Sequence, residues 1–159
     1  RLIDSLKHKL HSPSLPLLAH LIAERLIERP ADLAALTLIA MPAHPRRTLE
    51  RGFSQAARLT HALAAHFPGQ HHITPSARLR RHSYRQSQQG LTRKQRLHNL
   101  RNAFSATGVA GLTVGLIDDV VTTTATARAA SAALLAAGAV QVELIAVSRT
   151  PKPGPKSLA

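Results

Sequence analysis

Cysteine is absent from this chain of 159 residues, and so is tryptophan. The first absence excludes disulfides and a thiolate zinc site within the chain. Aromatic residues make up only 3% of the sequence, so a core must be built from aliphatic side chains. No apolar run approaches the roughly 20 residues that cross a bilayer. No secretory leader is visible, which gives the expectation of a cytoplasmic protein without a membrane span. Acidic residues are few: 8 Asp and Glu stand against 21 Lys and Arg, for a formal net charge of +13. Such an imbalance favours polyanions, either nucleic acid or a substrate carrying several phosphates. The plainer reading is a solvated basic face.

What is present fits one domain. The hydrophobic fraction is 44%, and the length is enough for a core of normal size. We assign residues 1–150 to that domain, with helices over 1–30, and 151–159 to a disordered tail holding Pro151, Pro153 and Pro155. The chain opens on Arg1 inside a helical pattern, as a piece of a longer protein would. Leu17, Leu18, Leu21, Ile22, Ala23, Leu26 and Ile27 recur at helical spacing after a break at Ser12-Pro13-Ser14. Leu36–Met41 reads as a buried strand, Gly52–His66 as a helix, and a short strand is expected near Ile73. Arg78–Gly90 lacks a period and reads as a mobile loop or hairpin. Thr92–Leu100 reads as a short helix, Leu112–Ile117 as a strand, Ala125–Ala137 as a helix and Val140–Val147 as an alternating strand. Strands separated by helices argue an α/β domain with a largely parallel sheet, whose ligands bind at the carboxyl ends of the strands.

The segment Gly115–Ala139 carries the most chemistry. An apolar run ends in Asp118 and Asp119; Val120, Val121 and three threonines follow, then an alanine-rich helix that stops at Gly138. Carboxylates accept from ribose hydroxyls and stabilise positive charge at an anomeric carbon. The N–H groups of a loop and a helix start receive a phosphate, and Thr122, Thr123, Thr124, Ala125 and Thr126 are the candidates here. The same residues also suit a helix-capping turn without a ligand. The ten histidines, including the adjacent His71 and His72, show no metal-ligand spacing, and no nucleophile elbow is present.

Four blocks together resemble the ComF family of competence-associated, type I phosphoribosyltransferase-like proteins. They are the lead segment above, Arg1–Lys9, Ile39–Gln55 (IAMPAHPRRTLERGFSQ) and Ser87–Phe104 (SQQGLTRKQRLHNLRNAF). They stand in the family's order and are spread along the chain from Arg1 to Ala139. The resemblance implies a type I phosphoribosyltransferase-like fold with N-terminal helices and a mobile hood loop. It implies binding of 5-phosphoribosyl 1-pyrophosphate with Mg²⁺, held through substrate oxygens rather than a protein cage. It also implies transfer of phosphoribose to an acceptor that no residue identifies, and a link to DNA uptake in natural transformation. Partners would be single-stranded DNA and other competence proteins.

By the same resemblance, Asp118, Asp119 and Val120 begin the phosphoribose loop, and Asp118 and Asp119 are its catalytic residues. His44, Arg46, Arg47 and Arg51 lie in the pyrophosphate loop, where arginine matches phosphate oxygens bidentately. Arg85, Gln88, Arg93, Arg96 and Asn99 lie in the flexible loop. Relatives read TTGAT where Thr124 stands at the glycine position, and a β-branched residue does not readily adopt positive φ. ComF-like proteins often carry a four-cysteine zinc ribbon upstream, which this chain lacks. The competing class is a non-catalytic protein that keeps the fold and binds single-stranded DNA through its basic segments.

Overall fold

The computed structural model describes residues 14–28, 36–43, 52–67, 73–74, 76–82, 103–121 and 124–149. They form, in chain order, α1 (Ser14–Ile27), β1 (Leu36–Ala40), α2 (Gln55–Ala64), β2 (Arg78–Arg81), β3 (Phe104–Thr107), β4 (Thr113–Val121), α3 (Thr124–Ala136) and β5 (Gln141–Arg149). Three strands make a parallel sheet in the order β1-β4-β5, and β2 pairs with β3 in a separate antiparallel ribbon. This is a mixed α/β architecture with helices against a parallel sheet.

Strand alternation builds the layers. Successive residues of β4 point to opposite faces. On one side Ile117 joins Ala19 and Ala23 of α1, Leu36 and Leu38 of β1, Leu59 and Leu63 of α2, and Ile145 of β5. On the other, Val114 and Leu116 join Ile39, Phe104, Ala127, Ala130 and Leu134. Thus α1 and α2 cover one face, while α3 and the β2–β3 ribbon cover the other. Among the described residues the buried hydrophobic core is aliphatic apart from Phe104 and Met41, as the composition requires.

Local chemistry sets the helix ends. Ser54 caps α2, with extended backbone (φ −103, ψ 119) and a side-chain oxygen accepting from the Ala57 N–H at 3.3 Å. The alanines of α3 give high helix propensity and let the helix lie close on the sheet. At its C-terminus the Gly138 N–H donates to the Leu135 carbonyl (3.0 Å) and the Ala139 N–H to that of Leu134 (3.1 Å). With Gly138 at φ +96, this is a Schellman motif, which explains why the helical pattern stops there.

The structure corrects several readings of the sequence. Ile73, near which the sequence suggests a strand, itself lies in an exposed bend. The strand instead is Arg78–Arg81, stabilised by pairing with Phe104–Thr107, in the register Arg78↔Thr107 to Arg81↔Phe104. β4 does not end at Ile117 but runs through both aspartates to Val121, because β5 pairs along its whole length. The alternation of Val140, Val142, Leu144 and Ala146 does not mark one buried face. Val140 is exposed, Ile145 is the buried residue, and Val142 and Ile145 pack on opposite sides of the sheet. On α1 the wholly buried positions are small, Ala19 and Ala23, while Leu17, Leu21 and Ile27 stay exposed. The helical readings of residues 1–11 and Thr92–Leu100, and the tail at 151–159, lie outside the described residues. Among those described, no helix is long and apolar enough to cross a membrane.

Candidate functional site at the carboxyl edge of the sheet

β1 and β4 are parallel neighbours, so the segments leaving them start from the same edge of the sheet. Their pairing continues past the last strand residue of β1, where the Met41 N–H donates to the Ile117 carbonyl at 2.7 Å. Pro42 and Ala43 therefore begin beside Asp118. His44, Arg46, Arg47 and Arg51, which follow, lie outside the described residues.

The β2–β3 ribbon has one end at this edge too. β3 leads through the turn at 108–112 into the start of β4, which fixes the Arg78–Thr107 end at the opposite edge. The Arg81–Phe104 end therefore points toward the carboxyl edge. There the His82 N–H donates to the Ala103 carbonyl at 2.8 Å, and His82 Nε2 lies 3.0 Å from Ser105 Oγ. Residues 83–102 join these two anchored ends. Arg85, Gln88, Arg93, Arg96 and Asn99 belong to that segment and lie outside the described residues.

Asp118 and Asp119 are both half-buried residues of β4. The Asp119 N–H donates to Asp118 Oδ1 at 3.0 Å. Burial, then the adjacent Asp119 charge and side chain, push the Asp118 carboxyl up to about 7; the Asp119 N–H and the Arg81 cation pull the other way. Near neutral pH Asp118 thus exchanges between an acceptor-only carboxylate and a carboxyl that can donate. Val120 follows in the same strand, opposite Ser148 of β5.

Thr124, Ala125 and Thr126 are not loop residues. They form the first turn of α3 and are half-buried. Among the described residues only glycines have positive φ, so Thr124 keeps ordinary helical backbone and does not need the freedom that glycine would give. The first turn of α3 contains no acidic residue, so its N–H groups and the positive end of its dipole remain suited to an anion. Thr122 and Thr123 lie outside the described residues. Only positions 122 and 123 thus separate strand from helix, where the sequence reading has a strand ending at Ile117 and a helix from Ala125.

Among the described residues no three His, Asp or Glu side chains converge as a metal cage. Two grooves lie elsewhere. One of about 640 Å³ runs between α1 and β5, lined by Leu21, Leu26 and Leu144 among others. Another of about 280 Å³ follows the outer edge of β1, with Thr60, His61, Arg78 and Arg80 on its walls.

Arg81, whose charge acts against the raised proton affinity of Asp118, was not placed near the acidic pair by the sequence. Arg81 was visible only as one cation in a basic run. Its neighbourhood comes from strand pairing, which leaves no local signal. No protein-family model matches this chain, and no curated protein matches it.

Proposed function

We propose that this chain is a ComF-like protein of the type I phosphoribosyltransferase fold that binds 5-phosphoribosyl 1-pyrophosphate with Mg²⁺. The observation that carries the reading is the meeting, at one sheet edge, of the acidic pair, the N-terminus of α3 and the end of β1. Parallel α/β sheets bind ligands at this edge. Asp118 and Asp119 would accept from the ribose 2′ and 3′ hydroxyls. The first turn of α3, with Thr122 and Thr123 before it, would receive the 5′-phosphate. The basic segment after Ala43 would face the pyrophosphate. Bound Mg²⁺ would neutralise pyrophosphate charge.

In the transfer reaction the bond from the anomeric carbon to pyrophosphate breaks, and a bond from that carbon to the acceptor forms. The two carboxylates stabilise the positive charge that develops on the ribose. The acceptor is not identified by any residue. The family's link to DNA uptake in natural transformation, in the cytoplasm with single-stranded DNA and other competence proteins, belongs to this proposal.

A second reading has its own observation. Arg78 and Arg80 face solvent on β2, which favours contact with a phosphate backbone by a protein that keeps the fold without transfer.

Calorimetric titration with the sugar pyrophosphate, with and without Mg²⁺, tests the first reading. The Asp118→Asn/Asp119→Asn protein should lose affinity by about 100-fold or more, as expected for removal of charged hydrogen-bond acceptors. An intact protein that gives no heat with the ligand, yet binds single-stranded DNA with steep salt dependence, would replace it with the second.

A further inference from the structure

We propose that the groove beside the outer edge of β1 receives an extended acidic segment of another protein. The segment adds to the parallel sheet as a strand and pairs its carboxylates with Arg78 and Arg80. The groove, of about 280 Å³, takes Leu38 and Ala40 from β1, Arg78 and Arg80 from β2, and Thr60 and His61 from α2.

β1 is the end strand of its sheet, with β4 on one side only. The Met41 N–H donates to the Ile117 carbonyl of β4. Along a strand, residues that bond one neighbour alternate with residues that turn their N–H and C=O the other way. Thr37 and Ile39 therefore bond to β4 as Met41 does, while Leu38 and Ala40 turn their main-chain groups outward. Both of these residues line the groove. Among the described residues no hydrogen bond meets their main-chain groups on that side. A row of unpaired N–H and C=O groups is a template for an added strand, and addition satisfies groups that are costly to cover without partners.

Charge decides what kind of strand fits. Arg78 and Arg80 are exposed and two residues apart in β2, so they stand on one face of it, about 7 Å from each other along the strand. An extended segment repeats its own side chains on one face at the same interval. Carboxylates at i and i+2 thus match the two guanidinium groups. No Asp or Glu lines the groove to oppose them, and the chain carries a formal net charge of +13. The chain cannot supply the segment itself, because no two of its 8 acidic residues are separated by a single residue. A second copy is excluded on the same ground, so the partner is a different protein. Phosphates of single-stranded nucleic acid can meet the same arginines. The groove has no aromatic side chain on its walls, however, whereas sites for single strands stack bases on such rings, and a nucleic acid does not continue a β-ladder. The open edge of β1 favours the peptide. None of this depends on the ribose reading.

The test is fluorescence anisotropy of the full chain with a labelled peptide of alternating valine and glutamate. Two further peptides each change one property: glutamine replaces glutamate, or every backbone nitrogen is methylated, which keeps the charge and prevents strand pairing. Each should bind more weakly than the parent by about 10-fold or more. Arg78→Gln/Arg80→Gln should lose a similar factor for the glutamate peptide and little for the glutamine peptide. Absence of binding by the wild type overturns the proposal, and so does equal binding of the methylated peptide or of the glutamine peptide. A thymidine oligonucleotide is titrated alongside. If it binds, is released by Arg78→Gln/Arg80→Gln, and the peptide does not bind, the groove belongs to nucleic acid and the proposal fails. If the double variant does not fold, the three peptides on the wild type still decide.

Discussion

The two edges of the parallel sheet are built on different principles. At the amino edge, the turn at 108–112 and the turn at 138–140 are stitched together by backbone hydrogen bonds. The Gly111 N–H donates to the Gly138 carbonyl and the Val140 N–H to that of Leu112, each at 2.9 Å. Val109 is wholly buried between them. Glycines allow the chain to pass where no side chain would fit: a Cβ on Gly108 would stand 2.2 Å from the Ser76 carbonyl oxygen. At the carboxyl edge, burial and then the neighbouring Asp119 raise the proton affinity of Asp118. One edge is arranged to lower the energy of the fold. The other holds a local arrangement that costs stability, as residues poised for binding often do.

This contrast can be broken from either side. The largest effect is expected at the amino edge. Gly108→Ala combines φ +67 with a backbone collision, and should cost about 3 kcal/mol or more in urea unfolding. Ligand affinity of the folded fraction should not change. A loss under about 1 kcal/mol would mean that the turn yields freely.

The next effect belongs to the carboxyl edge and has the opposite sign. Asp118 binds its proton up to about 7 in the folded protein and only to about 3.8 when unfolded. Between those values the folded state carries more protons, so stability falls as pH rises from about 4 to about 7 and levels off above. Asp118→Asn removes that slope. At pH 8 it should stabilise the protein by about 1–2 kcal/mol, a figure reduced for solvent screening of a half-exposed group. Denaturation midpoints measured across that range would show it, and parallel curves for the two proteins would contradict it.

The smallest is Gly138→Ala, in the helix stop. The left-handed conformation disfavours alanine, and its Cβ would stand 3.2 Å from Ala110. A loss of about 1 kcal/mol is expected by thermal or urea unfolding. It should leave the titration of Asp118 unchanged.

The same contrast explains what could be read from the chain. β1 and α3 were legible because a short, mostly apolar run and an alanine-rich stretch ending in glycine each carry their own signal. β2 was not, because Arg78–Arg81 has three cations in four positions and becomes a strand only through its partner. The extension of β4 through Asp118 and Asp119 was hidden for the same reason. Carboxylates are poor strand formers, and pairing with β5 overrides that preference. The acidic pair could be singled out as chemistry, but its charge state depends on burial and on Arg81, and neither is written in neighbouring residues.

The hydrogen bond from His82 to Ala103 has a further consequence. It closes the ribbon before residues 83–102 begin, so the entropy of bringing the two ends together is met by the strands themselves. The ribbon is thus a clasp, in which backbone pairing from Arg78↔Thr107 to Arg81↔Phe104 and the closing bond at His82 hold together two stretches far apart in the chain.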